Sequence, residues 1–181
     1  NNPQLGPMPG GGTGITADFN NTDTVVQGNR LGVEPLGDGI SGGFVPFGAT
    51  SGLEMGTASV LGSRIGDPSD PARANLVAHT LQPGARVYGG ARRVDLAGNR
   101  IIDTGRGLGG LAGMSIDLEL PTGPNTNDPL DADTGSNELQ NYPVLATASL
   151  SPGATMIAGA LSSAPNRSYR VEFHAAGTCT A

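Results

Sequence analysis

Apolar residues in this chain come in short runs, broken every few positions by glycine, proline or small polar residues, which predicts many short strands joined by turns. Three segments share one pattern of positions. They are Val26-Gln27-Gly28-Asn29-Arg30-Leu31, Val60-Leu61-Gly62-Ser63-Arg64-Ile65 and Leu96-Ala97-Gly98-Asn99-Arg100-Ile101. Each reads apolar, spacer, Gly, small polar, Arg, aliphatic, and the glycines are 34 and 36 residues apart. A period of about 20–50 residues marks a repeat architecture, and the expected form is a right-handed parallel β-helix. Stacked strands place equivalent residues in columns about 4.8 Å apart. Val26, Val60 and Leu96 should then point inward, as should Leu31, Ile65 and Ile101. The small polar residue belongs at a corner, where an asparagine tolerates left-handed dihedrals and bonds along the column. The arginines should point outward.

A period this long exceeds a simple rung. Asp67-Pro68-Ser69-Asp70-Pro71 reads as an inserted turn, and residues 42–48 as a short strand in which Pro46 implies an edge or bend. Residues 75–78 and 85–88 are further strand candidates. The expected organisation is a loop or linker over 1–12, parallel β-helix rungs over 13–118, an acidic loop over 119–138 and an antiparallel segment over 139–181. Within the last, residues 144–150, 154–161 and 169–173 read as three strands of a small, incomplete, sandwich-like meander, because Val171 and Phe173 alternate with polar neighbours.

Composition narrows this picture without changing it. Thirty glycines and fourteen prolines among 181 residues exclude long helices, while 36% hydrophobic residues and only 14% charged ones distinguish the chain from a disordered segment. A formal charge of −6 argues against general nucleic-acid binding through phosphate neutralisation. No stretch approaches the roughly 20 apolar residues that cross a bilayer, so membrane insertion is not expected. The sole cysteine, Cys179, cannot form an internal disulfide.

From Ile116 to Cys179 the sequence carries a more specific signature. Ile116-Asp117-Leu118 leads to Asn127-Asp128-Pro129, then Asp131-Ala132-Asp133-Thr134-Gly135, then Leu139-Gln140-Asn141-Tyr142-Pro143-Val144-Leu145. Gly159-Ala160-Leu161-Ser162-Ser163-Ala164-Pro165-Asn166 and Tyr169-Arg170-Val171-Glu172-Phe173 follow. This run resembles the C-terminal portion of large secreted bacterial proteins with right-handed parallel β-helix repeats, of the CSLREA type. The family's N-terminal label is missing here, and Ala74-Asn75-Leu76-Val77-Ala78-His79 stands as a variant of its usual turn. The resemblance implies the fold and an extracellular or cell-surface location, and brings no catalytic residues.

Two clusters carry candidate chemistry. Asp128, Asp131, Asp133, Asn137 and Glu138 place oxygen ligands at alternating positions around Gly135, as in loops that wrap Ca²⁺, although the full EF-hand spacing is missing. The alternative is a linker whose Asx turns cap their own backbone. Arg30, Arg64 and Arg100 form an expected outward column whose guanidinium forks suit the carboxylates of an acidic polysaccharide; solvated surface arginines are the alternative. Asp95 and Asp103 flank Arg100 without evident convergence, His79 and His174 are isolated, and the glycine runs 10–12 and 105–113 lack the context of phosphate loops. The function expected from this is a structural or adhesive module, non-catalytic, of a secreted or surface protein, presenting a face to a polysaccharide or cell-surface glycan. A polysaccharide lyase or glycoside hydrolase whose catalytic rungs lie partly outside the chain is the competing reading.

Overall fold

A computed structural model describes residues 14–17, 22–32, 51–57, 60–105, 114–119 and 121–174. Residues 1–12, the strand expected over 42–48, most of the 105–113 glycine run and Cys179 lie outside them. The described chain is all-β apart from two short 3₁₀ turns, Pro71–Arg73 and Ser136–Leu139.

Among the described residues, nine short strands precede the acidic loop: β1 (Ile15–Ala17), β2 (Val25–Val26), β3 (Arg30–Leu31), β4 (Leu53–Met55), β5 (Arg64–Ile65), β6 (Leu76–Ala78), β7 (Ala85–Val87), β8 (Arg100–Ile102) and β9 (Ile116–Leu118). They form three parallel sheets, ordered β1-β4-β7-β9, β2-β5 and β3-β6-β8, which the chain visits in rotation. The second sheet continues through single bridges from Thr22 to Leu61 to Arg92 and from Arg64 to Asp95. Each circuit of the chain therefore lays one strand or bridge on every sheet.

Register explains the burial. Two-residue alternation puts Leu53, Met55, Ala85 and Val87 of the first sheet inside, with Ile65 from the second and Val77 from the third, all at most 1% exposed. Fully burying each Leu, Ile or Val contributes about 1.5–3 kcal/mol. Glycines make room for this packing. Gly14, Gly52 and Gly84, each just before a first-sheet strand, face Leu31, Val77 and Ile101 of the third sheet, and a Cβ on Gly84 would collide with Ile101.

The 34- and 36-residue repeat is not the structural register. Gly28 and Gly98 do precede third-sheet strands, but Gly62 precedes β5 in the second sheet. Ten residues, 66–75, link β5 to β6, whereas three, 27–29, link β2 to β3. The inserted corner is closed by Asp70, which caps the Pro71–Arg73 turn through the Ala72 N–H. The insertion makes Asn75, not Ser63, the partner of Asn29 and Asn99.

These three asparagines form a ladder. The side-chain amide of Asn29 donates to Asn75 Oδ1 at 3.0 Å, and that of Asn75 to Asn99 Oδ1 at 2.9 Å. Asn75 Nδ2 also reaches the Val26 carbonyl at 2.8 Å, and Asn99 Nδ2 the Ile65 carbonyl at 2.7 Å. Asn75 is fully buried, so its side-chain amide depends on these partners within the stack.

Beyond the loop, β10 (Val144–Ser151) and β11 (Ala154–Ala160) pair antiparallel around Pro152 and Gly153, with an irregularity at Ala146. The third strand expected over 169–173 is not formed: that segment pairs with no strand among the described residues. Glu172 instead accepts the Gly98 N–H with both carboxylate oxygens, at 3.1 and 3.0 Å, tying the segment to the final circuit.

Candidate metal centre

The acidic loop joins the last circuit to the hairpin, and its two ends do different work. Ser136 and Asn137 close the final circuit. Ser136 Oγ accepts from Gly90 N, and the Asn137 side chain bonds both the N–H and the carbonyl of Val94 at 2.9 and 2.8 Å. Glu119 reinforces this by accepting from Ser136 and from Gly89 N.

The other end gathers carboxylates. Asp128, Asp131 and Asp133 each present an oxygen within 4.8 Å of the others. Leu130 and Asp131 adopt positive φ, and the resulting tight turn folds the loop back on itself. Asp128 Oδ2 accepts from the Ala132 and Asp133 N–H groups at 2.9 and 3.2 Å. Asp131 reaches outward: Oδ1 takes the Asn141 N–H at 2.7 Å and Oδ2 the Ser163 hydroxyl at 2.6 Å. Asn141 completes the clamp by donating to the carbonyls of Asp128 and Ser162 and accepting the Asp128 N–H.

What remains is uncompensated. Oδ1 of Asp128 and Oδ1 of Asp133 are closed to solvent and accept from no donor. No arginine or histidine among the described residues pairs with any of the three aspartates. Burial, with the charges of Asp128 and Asp131, raises the pKa of Asp133 above the ordinary carboxylate value. Of the five residues expected to hold a cation, the structure brings together these three. Asn137 is spent on Val94, and Glu138 forms an exposed ion pair with Arg167 at 2.9 Å. Ser163 and Asn141, which orient Asp131 and its loop, are side chains that spacing around Gly135 could not reveal.

The arginine column divides in two. Arg30 and Arg100 lie on the third sheet on either side of Leu76, whereas Arg64 lies on the second beside Val25 and Asp95. Arg64 also helps Arg73 and, above all, the hydrogen bonds from Ser69 to hold the Asp67 carboxyl below its ordinary range.

A second charged column was not evident from sequence. The register of the first sheet aligns Thr16, Glu54, Arg86 and Asp117 on its outer face. Arg86 lies 3.6 Å from Glu54 and 3.7 Å from Asp117, donates to Thr122 at 3.0 Å and stacks over Tyr88. Burial raises the Asp117 pKa against the lowering effects of Gly123 N–H, Arg86 and Thr122. The Asp117 side chain is closed to solvent, and its Oδ1 accepts the Gly123 N–H at 3.2 Å.

No protein-family model, curated protein or solved structure matches this chain. Among the described residues no helix is long and apolar enough to cross a membrane.

Proposed function

We propose that the chain is a right-handed parallel β-helix module, of the kind found in secreted bacterial repeat proteins of the CSLREA type, and that its role is structural or adhesive rather than catalytic. The observation that carries this reading is the rotation of the chain through three parallel sheets, each circuit in register with the last. Right-handedness follows from the strong preference of parallel crossovers for that sense, and an extracellular or surface setting follows from the family resemblance. The rigid, ladder-bonded stack offers long faces. On one of them Arg30 and Arg100 stand two strand spacings, about 10 Å, apart, suited to carboxylates of an acidic glycan.

A glycan array run beside lyase and hydrolase assays tests this. Binding of acidic polysaccharide without turnover, weakened about tenfold by Arg30→Gln with Arg100→Gln, is the expected result. Turnover of any glycan by this chain would contradict the non-catalytic reading.

A further inference from the structure

We infer that a cavity against the final circuit binds a single-chain amphiphile, an apolar body with an anionic head, and that Arg170 receives the head. The site is separate from the arginine face and does not rest on glycan binding. The register of β9 explains its floor. Ile116 and Leu118 continue the inward positions of Ala85 and Val87, but no strand among the described residues pairs with the far edge of β9, and Ile116 is left 45% exposed. With Leu96 and Met114 they line a cavity of about 930 Å³, walled by residues 123–125 and 140–143 of the loop and by residues 169–174. Small-molecule sites have this size and this character, mostly apolar with a few polar groups that fix orientation.

The polar groups around the cavity decide the ligand class. Most are committed within the protein: Asn137 bonds Val94, Asn125 donates to the Leu118 carbonyl, Gln140 to Ser163 and the Tyr169 hydroxyl to Ala164. The three carboxylates already accept backbone N–H groups, Asp95 from Ala97, Asp117 from Gly123 and Glu172 from Gly98. Asp117 also lies beside Arg86, and Glu172 lies 3.8 Å from His174. Arg170 differs, because its guanidinium pairs with no carboxylate among the described residues. That group offers five donors in a fork that matches a carboxylate. The cavity therefore offers apolar surface and one unspent anion fork. A sugar, whose many hydroxyls need many partners, suits such a wall poorly, and an alkyl carboxylate suits it well.

Calorimetric titration with dodecanoate, dodecanol and dodecyltrimethylammonium, each below its micelle concentration, tests body and head separately. One dodecanoate per chain is expected, bound about tenfold more tightly than dodecanol, with the cation weakest. Arg170→Gln, at an exposed position, should weaken dodecanoate to the level of dodecanol and leave dodecanol unchanged. Ile116→Glu should abolish binding of both while the far-ultraviolet spectrum stays that of wild type. Met156→Glu, on the hairpin and 71% exposed, should alter neither. Absence of binding by all three probes, or tightest binding of the cation, would overturn the proposal. Binding lost in Met156→Glu and kept in Ile116→Glu would overturn the cavity as its place. Dodecanoate binding undiminished in Arg170→Gln would overturn the role given to its guanidinium.

Discussion

The circuits and the hairpin invert the usual relation between strand length and burial. In the circuits no described strand exceeds three residues, yet Leu53, Met55, Ile65, Val77 and Val87 are wholly removed from solvent. In the hairpin, strands of eight and seven residues leave Leu150 88% and Met156 71% exposed. A parallel strand with a neighbour on either side and a second and third sheet across the interior needs only one or two inward side chains, because the stack supplies the walls. A lone two-stranded ribbon has no such wall and is marginally stable at best. Stability in this molecule therefore resides in stacking between circuits, and the hairpin draws what order it has from its feet.

The sharpest way to break the comparison is at the ladder. Asn75→Ala strands the Asn29 N–H and breaks the ladder at its buried centre, leaving the Val26 carbonyl to the Gly66 N–H alone, and should cost about 3 kcal/mol in denaturant-monitored unfolding. Next in size is Gly84→Ala, whose Cβ meets Ile101; overpacking of that kind should cost about 2 kcal/mol.

A smaller effect lies at the junction. The raised pKa of Asp133 means that its charge opposes the fold, fully so above the raised value and progressively less as pH falls through it toward 3.8. In chelator, the melting midpoint of Asp133→Asn should exceed that of wild type at pH 7, and the gap should close on acidification across that window. Asp67, held low chiefly by Ser69, has the opposite sign, contributing stability that is lost in acid. Smallest of all, Leu150→Ser on the hairpin should change global stability by less than about 0.5 kcal/mol, measured by the same unfolding experiment that detects the ladder.

Much of the fold was legible because local chemistry repeats at each corner. Apolar-x-Gly-Asn-Arg-aliphatic does mark the entry to β3 and β8, and the short runs at 75–78 and 85–88 are β6 and β7. Register was not legible, because the 66–75 corner is long and slides an otherwise matching motif onto a different sheet. Ser63 occupies the aligned position, yet its buried hydroxyl has no partner and it takes no part in the ladder. Asn75, which lies outside the aligned motif, is the centre of the ladder. The acidic loop was half legible: carboxylates at alternate positions announced Asp131 and Asp133, but the demands of Val94 on Asn137 and of Arg167 on Glu138 are set by residues at least 29 positions away. The same holds for 169–173, whose alternation suits a strand while Glu172 is claimed by the Gly98 turn.

The stacking register is tested most directly by disulfide trapping in a Cys179→Ser background. Residues 30 and 76 are register partners on adjacent strands, within the Cα separation that a disulfide spans, whereas residues 30 and 64 belong to different sheets. Arg30→Cys with Leu76→Cys should oxidise rapidly to an intramolecular disulfide, and Arg30→Cys with Arg64→Cys should remain reduced. The reverse pattern would contradict the circuits described and restore the 34-residue repeat as the true register.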